Sequence, residues 1–144
     1  MSATEMLHRM VGIDMPKFSL GEIFILEAEF FICLYEELKD IFRAQYKNYF
    51  KLMRFNTEKE DAMLEANFLR FVINDILVSE EYSLEGIAYY TQIPEDVICD
   101  VVAGNNSAPS LQLTKKIIDL HRSVRPTLYR ETMKKIVAQY LISE

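Results

Sequence analysis

The chain has 144 residues, half of them hydrophobic, and a formal net charge of −6. That length suits one domain of ordinary size, or one small domain with a substantial extension, and the apolar content can bury a real core. The acidic balance argues against indiscriminate binding to nucleic acid or membrane surfaces, although a local basic patch could still bind. Four Gly, four Pro and no Trp point to long regular elements with few sharp loops. Cys33 and Cys99 sit in separate apolar segments without metal spacing, as buried thiols of a reducing compartment would. Met1 to Met15 lacks a compact apolar run behind a basic start, so no signal peptide is expected. The most apolar stretch, Ile23 to Tyr35, is too short to span a bilayer and contains Glu27 and Glu29. The expectation is a cytoplasmic protein with no membrane partner.

Residues 1–18 carry Gly12 and Pro16 as breakers and read as a loose or docked arm. Ser19 to Glu22 forms a capping box, in which a hydroxyl and a carboxylate each satisfy a free N–H at a helix start. A long helix is predicted from about Leu20 to about Met53, with a break near Asn48. Glu22, Glu29, Glu36, Asp40, Arg43 and Lys47 fall along one narrow stripe, and most of Ile23 to Tyr35 is apolar. So wide an apolar face needs partners on more than one side. Either the helix is the centre of a single core, or it forms a homodimer contact through residues among Phe24, Phe30, Phe31 and Leu34. Glu27, among apolar neighbours, reads as an edge residue.

Thr57 and Glu60 suggest a second capping box opening a helix that runs to about Val78. Leu64, Phe68, Leu69, Val72, Ile73 and Ile76 recur at spacings of three and four and mark its buried face. Ser83 to Gly104 reads as two short helices around a tight turn. Ser83 caps the first, Ile93 fills the turn, Pro94 takes the first position of the second, and Gly104 permits a left-handed stop. Ala88 is small enough for the two helices to cross closely. Asn105 to Pro109 is a polar turn, and Pro109-Ser110 opens a helix that ends by about Ser123. Pro126 breaks the chain, because the residue before it avoids helical geometry. A last helix follows from about Thr127 to Ile142.

Ser83, Leu84, Ile87, Ala88, Ile93, Ile98, Val101, Gly104 and then Pro109-Ser110 resemble the Cro/lambda-repressor-like helix-turn-helix family, over about residues 65 to 144. Gln92 stands where that family's turn usually has Gly. The resemblance implies an all-α fold: a repressor-like helix-turn-helix domain, residues 57–144, preceded by the arm and long helix of residues 1–56, a possible dimerisation element. It also implies a transcriptional regulator that presents its second helix to the major groove of double-stranded DNA. The nucleic-acid-facing residues on this alignment are Gln92, Glu95, Asp96, Asp100, Asn105, Asn106 and Ser107.

Charge offers a different reading of the same elements. From Ile93 to Gly104 there are three acids and no base, whereas Ser110 to Lys135 carries seven bases against Asp119 and Glu131. Phosphates dominate nucleic-acid affinity and repel acids. The alternative is therefore a non-enzymatic interaction adaptor whose acidic second helix meets a basic protein partner. No phosphate loop, zinc pattern or cofactor motif is present. His8 lies in the arm, and His121, near a helix end, is expected to favour the negative end of the helix dipole. No enzymatic activity is expected.

Overall fold

A computed structural model describes residues 19–106 and 108–141 of the chain. The expected arm, with His8, and the single position Ser107 lie outside the described residues. Every regular element described is helical: α1 (Leu20–Gln45), α2 (Lys47–Leu52), α3 (Thr57–Ala66), α4 (Phe68–Val78), α5 (Leu84–Thr91), α6 (Glu95–Val102), α7 (Leu111–Val124) and α8 (Pro126–Ile136), with a π-helical turn over Val137–Leu141. No helix among the described residues is long and apolar enough to cross a membrane. The chain divides into two compact units. One is Phe42–Pro126; the other joins the described parts of 1–41 and 127–144. The linker expected near residue 56 is the short bend between α2 and α3, inside the first of these units.

Within Phe42–Pro126, α4 is the central element. It packs against α6 and α7, and α5 also packs against both. Phe68, Leu69, Val72, Ile73 and Ile76 of α4 are all buried, as their spacing predicts. Ile87 of α5, Ile98 and Val101 of α6, and Ile117 and Ile118 of α7 complete this core. Fully burying each such aliphatic side chain contributes roughly 1.5–3 kcal/mol.

Two predicted helices are broken at named residues: the first two positions before the break expected near Asn48, the second where a continuous helix was expected. The long N-terminal helix breaks at Tyr46 (φ −101°, ψ 15°), whose ring stacks on Phe71 at 4.8 Å. The helix expected over Thr57 to Val78 breaks at Asn67 (φ −121°, ψ 14°). There the Asn67 amide donates to the carbonyl of Met63 at 3.0 Å, offering the backbone a local alternative to the helical ladder. The α3 cap also moves by one residue: Asn56, not Thr57, accepts from the backbone N–H of Lys59 at 2.8 Å.

In the other unit, the Ser19–Glu22 capping box is present. Ser19 Oγ accepts from Glu22 N at 3.1 Å, and Glu22 Oε1 accepts from Ser19 N at 3.4 Å. Phe30, Leu34 and Leu38 of α1 are buried, as are Tyr129, Met133 and Ile136 of α8. Phe30 and Leu34 are therefore core residues, and of the four side chains expected at a dimer contact Phe24 alone remains exposed. Glu27 is exposed. The buried acid is Glu37, which faces Lys135 Nζ of α8 at 2.8 Å. Pairing is what makes a buried carboxylate tolerable.

Candidate binding surface

The stretch Ser83 to Gly104 forms two helices joined by a three-residue connection. Ser83 Oγ accepts from the backbone N–H of Gly86 at 3.1 Å, which fixes the start of α5. Thr91 donates its hydroxyl to the Ile87 carbonyl at 2.6 Å and closes the helix from inside. Gln92 then adopts the left-handed conformation (φ 57°, ψ 35°), the geometry that favours glycine. Ile93 turns its side chain into the core, and its N–H donates to the Ala88 carbonyl at 3.2 Å. Pro94 caps α6 rather than opening it: its ψ of 139° is extended, and the helix begins at Glu95. Gly104 takes φ 82° and ends the element with the expected left-handed residue. Ala88 is half-buried, not enclosed.

Gln92, Glu95, Asp96, Asp100 and Asn105 are all exposed. Asp96 and Asp100 stand four residues apart on α6 and so share a helix face. The Asp100 carbonyl accepts from the N–H groups of both Asn105 (2.8 Å) and Asn106 (3.2 Å), which folds the following turn back onto the helix end. Asn106 is half-buried, and its Oδ1 accepts from Ala108 N at 3.2 Å. The surface thus gathers six of the seven sequence-predicted residues around α6; the seventh is Ser107. Glu95 and Asp96 have a local role as well, because carboxylates in a first helical turn favour the positive end of the dipole.

The neighbourhood of this surface is acidic over a longer stretch than α6. No Lys or Arg occurs between Arg70 and Lys115, whereas Glu80, Glu81 and Glu85 are exposed, as are the three acids of α6. That run of sequence was the available signal. Two tyrosines of α5, Tyr89 and Tyr90, cluster with Tyr82, which precedes the helix. Tyr82 and Tyr90 meet edge to face at 5.1 Å, and Tyr89 and Tyr90 at 5.5 Å. Tyr89 is 78% exposed and Tyr90 64% exposed. A notch of about 360 Å³ beside Tyr82 and Tyr90 is also lined by Lys116 and Asp119 of α7. Three tyrosines in nine residues of sequence are unremarkable as composition; Tyr82 lies back against α5, its ring 3.6 Å from where a Cβ on Gly86 would stand.

The seven bases of Ser110 to Lys135 do not form one free group. Arg122 pairs with Asp119, Lys134 with Glu131 and Lys135 with Glu37, and Arg125 reaches Asp75. His121 corrects another expectation. It is fully buried, and its Nε2 lies 2.7 Å from Asp75 Oδ2. Burial pushes its pKa down, against the pull of the Asp75 carboxylate. A neutral imidazole inside the core is not a cation favouring the helix dipole. The described residues contain no cluster of His, Cys, Asp and Glu able to hold a metal ion. Cys33 and Cys99 are both free and half-buried.

No family model matches this chain, and neither a curated protein nor a solved structure matches it.

Proposed function

We propose that the chain is a non-enzymatic interaction module that uses a helix-turn-helix to meet a basic protein partner. The observation that carries this reading is the exposed acidic surface of α5 and α6, drawn from a stretch with no Lys or Arg between Arg70 and Lys115. DNA affinity comes chiefly from cations set against phosphates, and this stretch supplies acids. The exposed Tyr89 and Tyr90 of α5 strengthen the reading, because aromatic residues are enriched at the cores of protein interfaces. Glu95→Gln, Asp96→Asn and Asp100→Asn, combined, should leave the fold intact and abolish capture of a Lys/Arg-rich peptide. Retained capture by the folded triple variant would remove α6 from the account.

A second reading, a DNA-binding transcriptional regulator, is favoured by one specific feature. Gln92 takes up the left-handed turn geometry that the Cro/lambda-repressor-like family reaches with Gly, and polar Asn105 and Asn106 follow the second helix. In that reading Asn side chains hydrogen-bond phosphate oxygens, and the α6 acids accept from cytosine amino groups. Binding of random duplex DNA that weakens steeply with salt would support it.

A further inference from the structure

Within Phe42–Pro126 a pocket of about 410 Å³ opens between α2, α3, α4 and the end of α6. Its size falls in the usual range for small-molecule sites, roughly 300–1,000 Å³. One wall is aromatic. Tyr46 and Phe71 are stacked at an interplanar angle of 27°, and Phe50, almost fully buried, lies beside them. Met63 and Val102 supply the remaining apolar surface used here. Thioether and ring faces of this kind take up a flat aromatic body.

The polar lining consists of Arg70, the amides of Asn67 and Asn74 and the tyrosines Tyr46 and Tyr49, with Arg70 its one charged residue. Arg70 lines the pocket and is exposed, and no carboxylate among the described residues pairs with it. It is the last base before the long acidic stretch. One of its guanidinium nitrogens lies 3.6 Å from where a Cβ on Gly104 would stand, so the cation rests by the end of α6. Asn74 lines the pocket one helical turn along α4 and is exposed. Asn67, by contrast, spends an amide hydrogen on the Met63 carbonyl. A guanidinium is suited to a two-pronged grip on a carboxylate, and an amide can add a further donor.

We propose that this pocket binds a small aromatic carboxylate, with its ring against Tyr46 and Phe71 and its anionic group on Arg70. The inference is independent of what the exposed face of α6 recognises. It goes beyond that reading by adding a ligand site to the same unit, with Val102 at the end of α6 as one of its walls.

The test uses the full chain titrated with 2-naphthoate at low ionic strength, with uncharged 2-naphthamide as the control. Neither probe involves a basic peptide or DNA, so the outcome is separate from the surface reading above. Naphthoate should bind saturably at one site. Arg70→Leu, folded by circular dichroism, should weaken naphthoate by about tenfold while leaving naphthamide within about twofold. Met63→Trp fills the pocket and should remove both probes; if that variant does not fold, Val102→Phe replaces it. The proposal is overturned if the folded protein takes up no naphthoate at about 1 mM. It is equally overturned if Arg70→Leu weakens both probes alike, or if the filled pocket still binds.

Discussion

Nε2 of His121 lies 2.7 Å from Oδ2 of Asp75 and ties α7 to α4 across 46 residues of sequence. Arg125 adds its Nε to the same carboxylate oxygen at 3.1 Å, so one acid holds two side chains of α7 and its cap. The two helices also make the most extensive packing within their unit, and both bury apolar side chains. The polar group is thus set inside an apolar contact, where an unmet partner is costly.

Asp75→Ala should therefore destabilise the protein by about 1–3 kcal/mol, the cost of leaving the buried His121 ring N–H without its acceptor. Urea melts of the two proteins measure it. A shift below about 1 kcal/mol, the scale of a surface ion pair, would mean that the contact is peripheral.

The same pair gives the protein a pH-dependent stability. Burial lowers the pKa of His121, so the unfolded chain takes up that proton first, near pH 6.5. Stability is then full above about pH 6.5 and falls as pH drops from there toward the lowered native value. For Asp75, burial acts upward, but hydrogen bonds from Arg125 and His121 outweigh it and the net shift is down. Its contribution is present above the unfolded carboxylate value near about 4 and is lost as pH falls through the native one. The urea midpoint should fall between about pH 7.5 and pH 5.5, and His121→Gln should flatten that change. A midpoint that rises on acidification would reverse the sign assigned to His121.

Gln92 offers a test of the turn. Its left-handed backbone costs a residue with a Cβ roughly 1 kcal/mol, partly offset by the entropy that Gly loses on folding. Gln92→Gly should raise stability by about 0.5 kcal/mol, whereas Gln92→Val, with a branched Cβ, should lower it. Equal midpoints for the two variants would exclude a left-handed residue at this position.

Burial sets the order of two further variants. Ile98 is fully enclosed, so Ile98→Ala should cost about 2–5 kcal/mol. Ala88 is half-buried, and Ala88→Leu should cost nearer ~1 kcal/mol, the low end for overpacking. If Ala88→Leu proves the more damaging in thermal melts, the α5–α6 crossing is closer than its exposure indicates.

Local chemistry made much of this architecture legible. The caps at Ser19, Ser83 and Ser110 and the left-handed Gly104 are each set by residues within a few positions of one another. The apolar spacing of α4 identified its buried face residue by residue. The break at Asn67 was hidden because it comes from a side chain competing with the backbone, which leaves the hydrophobic period undisturbed. Glu37 was hidden because its partner, Lys135, is nearly a hundred positions away. His121 was misassigned for the same reason: its neighbours in sequence are Leu120 and Arg122, but its environment is Asp75. The candidate surface around α6 was legible because it is one continuous stretch. The pocket beside Arg70 was not, since four separate helices build it.

The central claim is that the exposed surface of α5 and α6 recognises cations. The most direct measurement is a side-by-side titration of the full chain, at low ionic strength, with a Lys/Arg-rich peptide and with random duplex DNA. Saturable peptide binding that weakens with added salt is expected, with loss of that binding in the Glu95→Gln, Asp96→Asn, Asp100→Asn variant and no binding of DNA. Micromolar DNA binding by the unmodified protein that fades with salt, together with no uptake of the peptide, would contradict this reading and assign α5 and α6 to nucleic acid.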